Sequence, residues 1–577
     1  MEGLIHMAMK DKLKMLYGNE LEIIEGDEVA DFTYFDNSKL KMIYLNSDIK
    51  RIGHGAFFGC SALKVVFFKD KEYKIDTTEG LDKFIEVFES EQGEIGVGAF
   101  ETSSSSILIR ECSDNKEKLH DEFVKALSPE PFCNNKNEKL FMKIVEGDDK
   151  GIFYISLLNS KMLAYDRYYF MLDNNDKEGY YYRPYFYEFI IEDNDDFFNK
   201  FDQNLIGEWM IGQLREPEEI SYNEYALIGD VIFSASPIEI RGRGLIITEP
   251  EISNEIKNKI NDVYKLIKEN SNGIIDNEED LGKIIQDVIE NGTPNIVKIY
   301  NVGQASCNNI CFNNKKEILF DIGYSYMKAD QNRIEKNQSN IRECNPALVI
   351  LSHWDLDHIL GVVYSKETIF NVNWIAPSML ELKPSQFSLS AARLAKYLAI
   401  KRILKIVDDK FNGKKVYNSD FFQIWKGKGK ENTAKYDTGS YDRELNKRDK
   451  VSGLNKANNI GLIIVLVSEK ENNMLLPGDC EYKMFPDKLY EEHSRFYNMI
   501  APHHGSNMEF IKPEVYNIIE KGNSAFISAG SNHYKPEHDW VGHCNFLKEM
   551  YYNIYKTKDK KVQKYEIDLN LEKVKDL

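Results

Sequence analysis

The apolar positions of this chain change character near residue 295. From Ile296 onward they come as short continuous runs bounded by turn residues: IVKIYNV, EILFDIG, ALVILSH, GLIIVLV, NMLLPGD and SAFISAG. Brief apolar runs between turn signals read as strands buried on both faces. A helical stretch over 391–407 lies among them, so 295–555 is predicted to be a layered α/β domain. Just upstream, Ile252, Ile256, Ile260, Val263, Leu266 and Ile267 recur at helical spacing, and a second helical stretch, 281–290, ends at the stop signal Asn291-Gly292-Thr293-Pro294. Residues 246–294 are therefore expected to be a helical connector, and 556–577 a C-terminal tail. In 1–245 aromatic, strand-like stretches such as 180–189 (YYYRPYFYEF) alternate with acidic turns such as EDNDD at 192–196, which predicts a β-rich α+β region for recognition or regulation.

Within that region the hexapeptide IGHGAF (52–57) recurs as IGVGAF (95–100). The segment 49–68 resembles a BspA-type leucine-rich repeat, and a small repeat-like unit over 38–110 is expected. A solenoid needs about three stacked repeats to bury a continuous core, and two traces are visible.

Composition narrows the function classes. The 577 residues carry 93 Asp and Glu against 74 Lys and Arg, a net charge of −19, which argues against a basic nucleic-acid coat or a polybasic membrane anchor as the overall character. The N-terminus lacks an apolar secretion signal and no stretch has the length of a membrane span, so a cytoplasmic protein without membrane contact is expected. Eight Cys are too sparse for a disulfide framework, and none forms a CxxC pair.

Histidine is concentrated downstream, where eight of the eleven His lie. After the strand ALVIL, Ser352-His353-Trp354-Asp355-Leu356-Asp357-His358 crowds two His and two Asp into a tight loop, which suits two metal ions sharing that loop. Asp479 follows the strand NMLL, and His503 and His504 follow Met499-Ile500-Ala501-Pro502. Three strand ends thus offer metal ligands.

Taken in order, YNVGQAS (300–306), ILFDIG (318–323), SHWDLDH (352–358), LLPGDCE (475–481), APHHGSN (501–507) and FISAGSNHYKPEH (526–538) resemble the metallo-β-lactamase superfamily, and specifically the hydrolase domain of ComEC-type competence proteins. The resemblance implies an αββα sandwich with two divalent ions, zinc or manganese, at one edge. It implies that His353 and Asp355 hold the first ion, Asp357 and His358 the second, that Asp479 bridges them, and that one of His503 and His504 completes the second site. Asp321 is expected to orient a ligand rather than to be one. Asn459 stands in the region where most of the superfamily has a His. Asp355 replaces the commoner His, leaving the first site oxygen-rich. In the closing segment Pro536 takes the usual His position; His533 and His538, flanking it, are candidates to contact a phosphate or protonate a leaving group.

Two adjacent divalent ions imply hydrolysis, with Asp357 also orienting the attacking hydroxide. Across 393–450 there are 16 Lys and Arg against 8 Asp and Glu, on a helix with Arg393, Lys396, Lys401 and Arg402 and on the loop KGKGKENTAKYDTG. That stretch is expected to form a basic rim for a polyphosphate backbone. The leading expectation is a metal-dependent nuclease acting on DNA or RNA, with a possible protein partner for the N-terminal half, as in conditional effectors of bacterial antiviral defence. The alternatives are hydrolysis of a small ester, such as a phosphocholine ester, a cyclic nucleotide or a lactone, and a non-catalytic metal-binding interaction module.

Overall fold

The computed structural model describes residues 9–100 with short gaps, the strands between 140 and 249, and 274–577 with gaps. The longer segments outside the described residues are 101–139, 159–185, 192–207, 216–225, 250–273, 326–337, 430–455, 509–522 and 531–540. The chain is mixed α/β and forms two compact units, Met1–Leu140 with Leu158–Tyr182, and Phe141–Leu157 with Arg183–Leu577.

The first unit begins with α1 (Met9–Tyr17), β1 (Leu21–Ile24), β2 (Glu28–Val29), β3 (Met42–Leu45) and β4 (Arg51–Ile52). It continues with β5 (Val65–Phe68), β6 (Lys71–Lys74), α2 (Thr78–Ser90) and β7 (Glu94–Ile95). β1, β3 and β5 pair in parallel, and so do β2, β4 and β7, so the chain coils through three turns. Val29, Ile52 and Ile95 are in register, and Tyr34, Phe57 and Phe100 stack with centroid spacings of 5.3 and 5.2 Å. The two hexapeptides are thus the second and third turns. The first turn, VADFTYF (29–35), keeps the apolar and aromatic positions but not the glycines, which hides it from a motif search. Helix α2, capped by Thr77 accepting from Gly80 N at 3.2 Å, buries Phe84 and Phe88 against Phe68 in the same core.

Strands β8 (Leu140–Glu146), β9 (Phe153–Leu158), β10 (Tyr187–Ile191), β11 (Trp209–Arg215), β12 (Ala226–Ser234) and β13 (Pro237–Glu249) close into a barrel, ordered β10-β12-β13-β11-β8-β9. Closure pairs every edge. The β-rich expectation for this stretch agrees with the strands, but the boundary at 245 does not. The barrel lies almost wholly within the second unit, because buried polar groups of β9 and β10 bond the helix at 389–400 described below.

The rest of the second unit runs through β14 (Ile274–Ile275), α3 (Glu278–Ile289), β15 (Pro294–Tyr300), β16 (Cys307–Phe312), β17 (Glu317–Ile322), α4 (Gln338–Glu343), β18 (Leu348–Ile350) and α5 (Leu356–Ile359). There follow β19 (Asn373–Pro377), α6 (Leu389–Ile400), β20 (Leu404–Val407), β21 (Lys415–Asn418), β22 (Phe422–Lys426), α7 (Lys456–Asn459), β23 (Leu462–Leu466) and β24 (Met474–Leu476). The chain ends with α8 (Asp487–Glu492), β25 (Asn498–Ile500), β26 (Asn523–Ile527), α9 (Val541–Glu549), β27 (Tyr552–Lys556), β28 (Lys564–Asp568) and β29 (Lys573–Asp576).

These strands form a nine-stranded sheet, β14-β20-β19-β18-β17-β16-β15-β28-β29, and a seven-stranded sheet, β21 to β27 in sequence order. The two sheets share one core. Ile318, Phe320, Leu348 and Ile350 from the first and Ile424, Ile464, Leu476 and Phe526 from the second are all buried in it. Each such side chain contributes roughly 1.5–3 kcal/mol. The opposite faces are buried as well, which is why these strands read as continuous apolar runs: Ile463, Val465 and Leu475 pack beneath α8 and α9 in a second core.

Three expected boundaries change. The helical reading of 281–290 agrees with α3, but Leu281, Ile285 and Val288 lie in the sandwich core, so α3 is not a connector; 251–268 lies outside the described residues. The helix expected over 391–407 stops at Ile400, and 404–407 is strand β20. Residues 556–577 are not a tail, since β28 pairs with β15 and β29 with β28, and Tyr565, Ile567 and Leu569 enter the core. Among the described residues no helix is long and apolar enough to cross a membrane.

Candidate metal centre

Both sheets change from antiparallel to parallel pairing midway, at β17 and at β24. The loops after the parallel strands carry the chemistry. Asp321 lies at the end of β17, Ser352 to Asp355 between β18 and α5, Asp357 and His358 on α5, Asp479 after β24, and His503 and His504 after β25. Strand-end loops at such a switch make a natural crevice.

Asp479 is the hub. Its carboxylate oxygens lie 3.2 Å from His358 Nε2, 3.7 Å from His503 Nε2, 3.7 Å from His504 Nε2 and 3.9 Å from His353 Nε2. Asp357 stands 3.3 Å from His504 Nε2 and 3.9 Å from His358 Nε2, and Asp355 is 3.2 Å from His353 Nε2. One ligand atom from each of Asp357, His358, Asp479 and His504 lies within 4.8 Å of the others, a spacing that could hold a metal ion. Asp357 is the most open of the group, its side chain 17% exposed.

In His353, His358 and His504 the other ring nitrogen is held from behind. His358 Nδ1 is 2.9 Å from Asp321 Oδ2, and Asp321 also accepts from Ser352 N (2.6 Å) and Ser352 Oγ (2.9 Å). Ser352 Oγ is 3.0 Å from His353 Nδ1. His504 Nδ1 bonds the carbonyl of Ser528 at 2.8 Å, and Ser528 Oγ donates to the carbonyl of Ala305 at 2.5 Å. Such partners fix the tautomer and turn Nε2 toward the carboxylates. Asn459 Oδ1 accepts from Glu481 N at 3.2 Å, bracing the turn that carries Asp479.

The backbone is strained where the ligands converge. Asp321, His503 and His504 have φ of 60°, 47° and 52°, a region that costs non-glycine residues about 1–3 kcal/mol each. Gly478, at φ 57°, passes so close to Ser352 that a Cβ there would lie 2.3 Å from the serine Cβ. The metal loop and the Asp479 turn therefore interlock through a position only glycine fits.

Electrostatics follows from burial and charge together. Burial disfavours the charged imidazole of His358, but Asp479, Asp321 and Asp357 outweigh it and hold its pKa well above the ordinary histidine value. His504 is raised in the same way, against burial, by Asp479 and Asp357. Burial would raise Asp479, yet His358, His504 and His503 hold it well below the usual carboxylate range, and Asp357 is lowered by His358 and His504. Asp355 goes the other way: burial raises it and His353 only partly compensates.

The expected site residues divide accordingly. His353, Asp355, Asp357, His358, Asp479, His503 and His504 converge, with Asp321 and Asn459 behind them. His533 and His538 lie outside the described residues, as does the loop beyond Gly429. The basic rim is corrected in part. Arg393 is fully buried and Lys396 is 2% exposed, because their face of α6 is covered, with Glu188 of β10 acting on Arg393. Lys401 and Arg402, at the other end of α6, are exposed, and Lys401 donates to the Phe370 carbonyl at 3.4 Å. His493 and His543 are buried packing residues, His493 bonded to Gln423 and His543 to Tyr482 and the Ser506 carbonyl.

Sequence reasoning missed the roles of Ser352 and Ser528, whose positions in quoted motifs were the available signal. Neither a family model nor any curated protein sequence matches the chain. Among solved structures, a long-form RNase Z from yeast is similar at 9% identity and a TM-score of 0.23, over 59% of this chain and 50% of that one. The chain thus spans about half the length of that protein, and the likeness is too low to carry an argument.

Proposed function

We propose that this chain is a divalent-metal-dependent phosphodiesterase acting on nucleic acid, on a metallo-β-lactamase-type sandwich of the ComEC-like kind. The observation that carries the reading is the convergence of four imidazoles from two strand-end loops on the single carboxylate of Asp479. The residues fit metal ions. Nε2 of His353 and of His358 is buried and faces a carboxylate oxygen at 3.2 Å, a donor set that suits a cation between them. Asp357, His358, Asp479 and His504 would hold one ion; His353, Asp355 and His503, sharing Asp479, would hold another. In this assignment His503 supplies the nitrogen that an oxygen-rich first site lacks.

Bound there, divalent ions would lower the pKa of water and offset charge on a phosphodiester. The chain's own residues do the rest. Asp357, the most open carboxylate, accepts a proton of the attacking water and orients its lone pair. Asp321 and Ser352 keep His358 and His353 turned toward the centre, and the Ser528 carbonyl does so for His504. The order of the sequence motifs supports nucleic acid as substrate. The burial of Arg393 and Lys396 favours the second reading, a small ester, because it removes two of the four helix residues expected in the basic rim.

The test is cleavage of single- and double-stranded DNA and RNA, with bis(4-nitrophenyl) phosphate alongside, in manganese, zinc or magnesium, comparing wild type with Asp479→Ala. Metal-dependent nucleic-acid cleavage that falls at least about a hundredfold in the variant is expected. Turnover of the small diester alone would favour the second reading, and metal binding with no turnover of any diester would sink the phosphodiesterase reading.

A further inference from the structure

Tyr482 follows Asp479 by three residues, and Ser506 follows His504 by two, so each belongs to a turn that carries ligands of the candidate centre. Between them stands His543 of α9, a helix whose Cys544, Phe546 and Leu547 are set in the second core. His543 Nδ1 is 3.0 Å from the Ser506 carbonyl, and its Nε2 is 3.1 Å from the Tyr482 hydroxyl. All three residues are buried. A carbonyl oxygen only accepts, so Nδ1 carries a proton, and the neutral ring then accepts the Tyr482 hydroxyl at Nε2. One imidazole thus bonds both ligand turns from behind, which is more than packing requires.

The bridge supports a backbone that local preference opposes. His503, His504 and Gly505 have φ of 47°, 52° and 73° in succession. Non-glycine residues persist in this region only where their surroundings over-determine them. His503 N donates to the Gly478 carbonyl at 3.2 Å, and Ser506 N donates back to the His503 carbonyl at 2.8 Å. The His543 bond then ties the far end of the loop to α9. On the other turn, Asn459 holds Glu481 N and His543 holds the neighbouring Tyr482. An apolar side chain at 543 would fill the volume and bond neither turn.

We infer that His543 is a positioning residue of the metal centre, whose imidazole ties the Asp479 turn to the His503–His504 loop. It keeps Nε2 of both histidines at their 3.7 Å spacing from the Asp479 carboxylate. This role rests on the metal-binding half of the function proposed above. Partners behind metal ligands typically change affinity 10- to 100-fold when removed.

The experiment compares full-length wild type with His543→Phe and His543→Asn. Manganese affinity is read by isothermal titration, and the visible absorption of bound cobalt(II) reads the coordination geometry. His543→Phe should weaken manganese binding about 10- to 100-fold and alter the cobalt spectrum. His543→Asn, whose amide nitrogen can stand where Nδ1 stands and donate to Ser506, should recover most of the affinity. A residue that only packs would not be rescued by a smaller, polar side chain. Wild-type affinity and spectrum in His543→Phe, or equal losses in both variants, would overturn the role of His543. Should His543→Phe not fold, Tyr482→Phe deletes one hydroxyl of the bridge; weaker manganese binding is expected there, and wild-type affinity would overturn the role. Wild type that binds neither manganese nor cobalt would instead overturn the metal-binding reading.

Discussion

Asp321 and His358 are joined by a 2.9 Å hydrogen bond that decides which ring nitrogen of the histidine faces Asp479. The carboxylate stands in a left-handed backbone conformation at the end of β17 and is fully buried, so its orientation is set by the fold. Asp321→Asn should keep the fold and lower manganese affinity about 10- to 100-fold. Isothermal titration of both proteins reads this directly, and equal affinities would mean that Asp321 does not orient the ligand.

Asp479 is within 3.9 Å of four imidazoles, so its loss should remove ion binding altogether. An ion present at 100 times its dissociation constant stabilises the folded state by about 2.7 kcal/mol. Manganese or zinc should therefore raise the thermal midpoint of wild type, EDTA should reverse the rise, and Asp479→Ala should show neither effect.

Gly478→Ala tests the interlock of the two ligand loops. The added methyl meets Ser352 Cβ at 2.3 Å in a positive-φ position, so backbone must move. A loss of roughly 1–3 kcal/mol is expected, together with weakened ion binding because Asp479 is the next residue. Denaturant unfolding measures the first and titration the second; wild-type values for both would show that the turn is more compliant than this packing allows.

Lys143 is buried in barrel strand β8, and desolvation lowers its pKa from 10.5 to about 7 despite the opposing charge of Glu188. Between those values the unfolded chain holds a proton that the folded chain does not, so stability should rise with pH across that window. Lys143→Met removes this contribution. The thermal midpoint of the variant relative to wild type should be highest near pH 7 and fall steadily toward about pH 10. A constant difference would place the lysine's titration elsewhere.

Not all of this was hidden from sequence reasoning. The ligands of the candidate centre are each short polar stations immediately after an apolar run, and both halves of that pattern are local, so spacing and residue type suffice to find them. Lys396 and Arg393 failed for the converse reason. A basic helix face looks the same in sequence whether water or another element lies against it, and here Glu188, about two hundred residues upstream, lies against it. The first solenoid turn was missed because Tyr34 replaces a Gly-Ala-Phe cue while preserving the stacking that matters.

What the sequence by itself determined is six apolar strands of the C-terminal half, the turns that end them and the identity of the groups those turns carry, because side-chain periodicity and turn chemistry act over a few residues. Tertiary structure alone decided which groups meet. Asp479 faces His358 and His504 because two separate sheets bring their parallel strand ends to one edge. Likewise, Lys564–Asp568 is paired strand because β15 offers an edge, and Ser156 and Glu188 meet the start of α6 because a barrel built from distant segments packs there. Those outcomes depend on burial and pairing between residues far apart in the chain, which no local pattern records.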